Sequence, residues 1–259
     1  MFVKDILNVI EDFAPLSAQE GWDNCGLCVG SRESECKGVL LGLDCTETLV
    51  DEAIRRGMDL IITHHPMIFH GVKNITPDNE LGRMIIKAAA FGIKIYGAHT
   101  SADKVVGGVS CAMASRLGLK DVEILDPDQR GFGLGTVGNL PRQYTFSELV
   151  DFVKERFHLQ MLRSSRPIDR PITRVAMCGG AGSSLLERAK ASGAQVFLTG
   201  DVSYHHFFTE EGFAVMDIGH YESEIDIVDI LFSLIKKNFP NFAVYTSVRL
   251  ETSNPVYYY

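Results

Sequence analysis

The segment from Val39 to His65, VLLGLDCTETLVDEAIRRGMDLIITHH, lines up without a gap on the segment from Val175 to Asp201, VAMCGGAGSSLLERAKASGAQVFLTGD. Leu49 meets Leu185, Ala53 meets Ala189, Gly57 meets Gly193 and Thr63 meets Thr199. A pattern repeated at this length marks a duplicated structural unit. In the first copy the apolar run from Gly38 to Leu43 reads as a buried strand. Asp44 and Thr46 then cap a helix from about Glu47 to Arg56, which Gly57 closes. Leu60 to Thr63 is the next strand, and Pro66, with no N–H to give, stops its ladder. Strand, helix and strand in this order predict a parallel pair with a right-handed crossover. The repeat therefore predicts an α/β fold made of two similar α/β domains. The glycine-rich stretch from Gly131 to Leu140 reads as a strand opening the second of them, so the division is expected as residues 1–128 and 129–259.

The rest of the 259-residue chain fits that plan. Val3, Ile6, Leu7, Ile10 and Phe13 recur at helical spacing and predict an amphipathic N-terminal helix ended by Pro15. Trp22 to Gly30 reads as a short strand, Leu81 to Phe91 as a helix, Ile93 to Ala98 as a strand and Ser110 to Leu117 as a helix. Thr145 and Glu148 form a capping box for a helix reaching about Phe157. Hydrophobic residues make up 46% and charged residues 22%, the balance of a globular protein. The formal net charge is −8, and no basic cluster offsets it, which argues against a nucleic-acid surface. No apolar run approaches the roughly 18 residues of a membrane span. MFVKDILNVIEDF carries acids where a signal peptide needs an apolar core, so a cytoplasmic location is expected. The six cysteines are then expected as reduced thiols. Cys25 and Cys28 form a C-x-x-C, but the second pair or matched histidines of a structural zinc site are missing, so both read as core residues.

The chemistry gathers at strand ends. His64 and His65 follow a buried strand at its carboxyl end, where open α/β sheets keep their sites. Consecutive strand side chains point to opposite faces, so both rings reach one spot only if the strand breaks up there. A buried imidazole pair costs desolvation unless both rings are coordinated or hydrogen-bonded. The strand from Gly92 to Ala98 runs into His99 with Asp103 four residues on, and the strand from Gly212 to Gly219 runs into His220 with Glu224 four residues on. Histidine and carboxylate at i and i+4 share one face of a helix. Such an inventory exceeds one tetrahedral zinc and suits two metal ions bridged by a carboxylate, held in a cleft between the halves. Asp201, which takes the place of His65 in the repeat, is a candidate to orient one of these histidines. His205, in SYHH, is a candidate proton donor and reads equally well as part of an exposed helix face.

These motifs also carry a family pattern. THHP, the H-T-x-x-D of His99 to Asp103, CGGAGSS, LTGDVSYH and GHYESE resemble the GTP cyclohydrolase I type 2 homologues, also called the Nif-three-like family. WDNCGLCVG near the start and TSNPVYYY at the end extend the resemblance over nearly the whole chain. It implies two interlocked α/β domains, a dinuclear metal centre in their cleft and a toroidal homohexamer. By position it puts the metal ligands on His64, His65, Asp103, His220 and Glu224, with Glu224 as the bridge, and leaves His99 as an outer or proton-transfer group. Ser101-Ala102 stand where the family often has Asn-Leu, and Ser110-Cys111 where it has Asn-Asp. The short link from Leu140 to Arg174 leaves no room for the extra domain of longer members.

Imidazole and carboxylate ligands suit zinc, manganese, iron, nickel or cobalt alike. The expected activity is that of a dinuclear metal-dependent hydrolase, in which a metal-bridged hydroxide attacks a C–N or phosphoester bond; the resemblance implies a small, nucleotide-like substrate. His99 or His205 would protonate the leaving nitrogen or oxygen. The alternative, of another class, is a non-enzymatic metal-binding scaffold, metal chaperone or transcription-linked regulatory protein.

Overall fold

A computed structural model describes residues 1–250 and 252–259. In chain order the helices and strands are α1 (Val3–Phe13), β1 (Gly26–Val29), β2 (Val39–Gly42), α2 (Glu47–Arg56), β3 (Leu60–Thr63), α3 (Glu80–Ala90), β4 (Lys94–Gly97) and α4 (His99–Asp103). There follow α5 (Val109–Arg116), β5 (Lys120–Pro127), β6 (Gly133–Tyr144), α6 (Phe146–Phe157), β7 (Arg163–Ser164), β8 (Ile172–Met177), α7 (Leu186–Ala191), β9 (Val196–Thr199) and β10 (Ala214–Asp217). The chain ends with α8 (His220–Glu224), α9 (Asp226–Asn238) and β11 (Val244–Thr246). No helix among the described residues is long and apolar enough to cross a membrane.

These elements form an α/β fold with two sheets, divided between two compact units: Met1–Ala102 with Ile227–Pro255, and Asp103–Asp226 with Val256–Tyr259. The expected division between residues 128 and 129 is corrected on two counts. It falls in the turn of an antiparallel hairpin, whose strands β5 and β6 pair from Lys120↔Asn139 to Pro127↔Gly133. The glycine-rich stretch is the second strand of that hairpin; the first strand, β5, is mostly exposed and shows no apolar alternation to read. The chain also returns: β11 lies parallel to β2, with Val244 opposite Val39. The helical segment that opens at His220 consists of α8 and α9, separated at Ile225.

In the first unit the sheet runs β1-β4-β3-β2-β11. β2, β3, β4 and β11 are parallel, and β1 is antiparallel to β4. All four residues of β3 are buried, as an apolar run covered on both faces must be. α2 starts where Thr46 Oγ1 accepts from the Leu49 N–H at 3.2 Å and stops at Gly57, whose φ of 66° is left-handed. α1 buries Val3, Ile6, Leu7 and Ile10 along one stripe. Of the strand expected from Trp22 to Gly30, only Gly26–Val29 forms. The Asp23 and Asn24 side chains bond to other loops instead. Every cysteine is a free thiol. In the C-x-x-C, Cys25 Sγ donates to Asp23 at 3.1 Å and Cys28 Sγ to the Ile95 carbonyl at 3.3 Å.

In the second unit the sheet runs β5-β6-β8-β9-β10-β7, with β8, β9 and β10 parallel. Val175 and Met177 of β8 enter one apolar cluster, Ala176 and Cys178 another, so both faces of this sheet are covered. α6 begins on the Thr145–Glu148 capping box.

The repeat is visible in local hydrogen bonds within each unit. Asp59 Oδ1 accepts from the Lys37 and Gly38 N–H groups at 2.8 and 3.3 Å. Gln195, its counterpart, accepts at Oε1 from the Thr173 and Arg174 N–H groups at 2.8 and 3.3 Å. Ala98 N–H donates to the Thr63 carbonyl at 2.9 Å, and Ile218 N–H to the Thr199 carbonyl at 2.9 Å. Each unit thus fixes the residue after its third repeat strand onto the end of its second.

Candidate functional site

In the first unit β3 stops at Thr63, whose Oγ1 donates to the His65 carbonyl at 2.7 Å. The strand breaks up at that turn, which is the condition for both histidine rings to face one spot. Their centroids lie 4.9 Å apart, and His99, opening α4, lies 5.3 Å from His64 and 5.4 Å from His65. Potential ligand atoms of the three imidazoles fall within 4.8 Å of one another. The close approach requires Gly97: a Cβ there would sit 2.8 Å from the Pro66 Cα.

Two of these rings are oriented by carboxylates. His65 Nδ1 lies 2.7 Å from Asp44 Oδ1, and His99 Nδ1 lies 2.9 Å from Asp23 Oδ1. Asp44 reads from the sequence as a helix cap. Thr46 does that work, and Asp44 turns to the histidine. Asp23 also accepts from the Thr100 N–H at 3.0 Å and from the Thr100 hydroxyl at 2.5 Å. Burial alone would raise the Asp23 carboxyl, but the hydrogen bonds from His99, Thr100 and Cys25 outweigh it and hold the group well below the usual carboxylate range. Burial pushes the Cys25 thiol up to about 11, so it stays protonated beside Asp23.

In the second unit His220 and Glu224 occupy the two ends of α8, with His220 Nε2 and Glu224 Oε2 3.0 Å apart. Asp201, at the end of β9, places Oδ2 2.7 Å from His220 Nδ1. Asp201 adopts a left-handed φ of 51°, rare outside glycine but tolerated by Asp. Asp103 and Glu224 bring carboxylate oxygens within 4.8 Å of each other. Burial pushes the Cys178 thiol up, and the negative charges of Asp103 and Glu224 add to that rise. The CGGAGSS turn makes room for this group. Gly180 has a φ of 59°, and a Cβ there would fall 2.3 Å from Glu224 Oε1. The Gly180 N–H donates to Ser223 Oγ at 2.9 Å, fastening the turn to α8. His205 stands apart from these contacts: it is exposed on a short turn and packs against Tyr204 and Phe208.

The donor chemistry fits divalent cations. Two carboxylates this close, one of them on the buried Glu224, repel unless a positive charge lies between them or a proton is taken up. His65, His99 and His220 each set Nδ1 against a carboxylate, the outer arrangement that fixes tautomer and ring direction in ligating histidines. Sequence reading missed Asp23, Asp44 and Gly180. The one available signal was that Asp44 stands, in the repeat, where the other copy has Gly180.

Comparisons with known proteins agree with this fold. Residues 1–255 match the model of the family described as Duf34/NIF3 (NGG1p interacting factor 3). The chain is 37% identical to the GTP cyclohydrolase 1 type 2 homolog of Clostridium acetobutylicum over 97% of this chain and 96% of that protein. It is 39% identical to the protein of the same name from Clostridium perfringens over 86% and 87% of the two chains. Among solved structures, a Staphylococcus aureus hypothetical protein superposes with a TM-score of 0.92 at 28% identity, covering 100% of this chain and 99% of that one. A Bacillus cereus protein related to NIF3 superposes with a TM-score of 0.93 at 23% identity, with coverage of 100% and 99%.

Proposed function

The chain belongs to the Duf34/NIF3 family, and on that premise we propose that it is a dinuclear metal-dependent hydrolase acting on a C–N or phosphoester bond of a nucleotide-like substrate. By their match to the family's motifs, His64, His65, Asp103, His220 and Glu224 would hold the ions, with Glu224 as the shared carboxylate. When bound, two divalent cations supply Lewis-acid activation of water and stabilise developing negative charge. Asp201 holds His220 by its Nδ1 and so directs Nε2 toward the ligand cluster. Asp23 does the same for His99, which hands a proton to the leaving nitrogen or oxygen. His99 takes this role rather than His205 because it lies in the imidazole cluster, whereas His205 packs on exposed aromatics. Nucleotide-like chemistry is carried over from the name of the relatives, GTP cyclohydrolase 1 type 2 homolog. The same reading includes assembly into a homohexameric ring, which light scattering tests.

The observation that carries the proposal is the threefold pairing of imidazole with carboxylate, Asp44–His65, Asp23–His99 and Asp201–His220. The test has two parts. Metal analysis of the purified protein should find two ions per chain, and Glu224→Ala should lose most of both without unfolding. Two ions retained in that variant reject the bridging role. Manganese- or zinc-loaded protein is then offered GTP, cyclic nucleotides, phosphoesters and cyclic amides. Full metal loading with no turnover of any of them returns the chain to a non-enzymatic metal-binding scaffold.

A further inference from the structure

Trp22 is the chain's one tryptophan, and 60% of its surface is exposed. Phe69, on the loop after His64 and His65, is 40% exposed. Leaving two large aromatics in water forfeits burial energy, yet neither is left on a slack loop. Asn24 Nδ2 donates to the Ile68 carbonyl at 2.6 Å and ties the two loops together. Asp23, next to Trp22, is gripped by His99 and Thr100. The Asp23 N–H donates to the Glu20 carbonyl at 3.0 Å, and the Glu20 N–H to Thr100 Oγ1 at 2.9 Å. The two rings meet at 5.8 Å between centroids, tilted by 53°. Each stands edge-on to His99 at 6.0 Å. All of these residues belong to the first unit.

We infer that Trp22 and Phe69 form a stacking platform for a planar nitrogen heteroaromatic ring, such as a nucleobase, delivered beside His99. A held, exposed aromatic face binds such a ring with little ordering cost. The neighbouring imidazole offers the ring's polar edge a partner, which an apolar protein segment lying on the same face would leave unused. The inference rests on the hydrolase reading only in making this ring part of the substrate. It assigns the base-binding end and places the scissile bond on the His99 side.

Because Trp22 is the sole indole, its emission reports the platform directly. The full-length protein, both chelator-treated and manganese-loaded, is titrated with guanosine, cytidine and ribose 5-phosphate. Saturable quenching by the nucleosides and none by ribose 5-phosphate is expected. Phe69→Leu should weaken the apparent affinity about tenfold, the scale of one lost base–aromatic contact, with an unchanged melting temperature. Absence of quenching by either nucleoside, or an equal response to ribose 5-phosphate, overturns the platform. So does an emission that ignores nucleosides and shifts only on dilution, in step with dissociation of an assembly, since the face is then covered by a second copy. Turnover is followed separately. Quenching without hydrolysis leaves the platform standing and rejects the hydrolase, whereas hydrolysis without quenching rejects the platform alone.

Discussion

The two copies of the repeated β-α-β unit keep the same frame and hang different chemistry from it. Asp59 and Gln195 hold the entry of the first repeat strand by the same pair of backbone N–H groups. At the strand ends the copies part. The first copy has Asp44 after its first strand and His64-His65 after its second; the second has Gly180 and Gly200-Asp201 at the same places. At the second strand end the imidazole of His65 is replaced by the carboxylate of Asp201. In the first copy Asp44 orients the strand-end His65, and in the second the strand-end Asp201 orients His220. The first unit ends up with a cluster of imidazoles and the second with two carboxylates and one imidazole. A carboxylate or an amide oxygen serves equally as acceptor for the N–H groups that hold the frame, and the strand ends stay open to change.

The two copies differ most consequentially at Gly180. Gly180→Ala puts a side chain on a left-handed residue, at about 1–2 kcal/mol, and pushes Glu224 aside. Gly57→Ala meets the same backbone strain with nothing within 4 Å of the new Cβ. Both variants should lose stability in a thermal melt, Gly180→Ala the more for its clash with Glu224, but only Gly180→Ala should lose metal. Equal metal loss in the two would show that the glycine is there for the turn alone. Next come the orienting carboxylates. Asp44→Asn and Asp201→Asn should each weaken metal affinity about 10- to 100-fold in a chelator competition. A large loss in one with none in the other would mean that the two orienting carboxylates do not do the same job.

The smallest effect concerns the helix of each repeat, at Glu52 and its counterpart Arg188. Glu52 is 2% exposed and accepts from Arg56, the Ser247 hydroxyl and the Val248 N–H. Burial alone would raise its carboxyl, but those three partners outweigh burial and lower it. A lowered carboxyl contributes stability above the ordinary carboxylate range and loses it as pH falls through the folded-state value. Glu52→Gln should cost about 1–2 kcal/mol at neutral pH and flatten the acid limb of a stability-against-pH curve. Arg188 is paired with Asp126 on the surface, and Arg188→Gln should leave both measurements unmoved.

The local elements were legible because their causes are local. Thr46 and Gly57 delimit α2, and the apolar run with Pro66 after it delimits β3. The spacing from His220 to Glu224 set them one turn apart whatever the chain did elsewhere. Trp22 misled, because a strand pattern of alternating residues says nothing of Asp23 and Asn24 being drawn to distant loops.

A repeated α/β frame, its helix ends and the residue types able to bind cations can all be read from the order of residues alone. It took the folded chain to bring β11 onto β2, to close residues 120–144 into a hairpin, and to carry Asp23 to His99 across 76 positions of chain. Periodicity and capping are set by neighbours a few residues away, whereas such pairings depend on which surfaces pack, and packing leaves no mark at any single position.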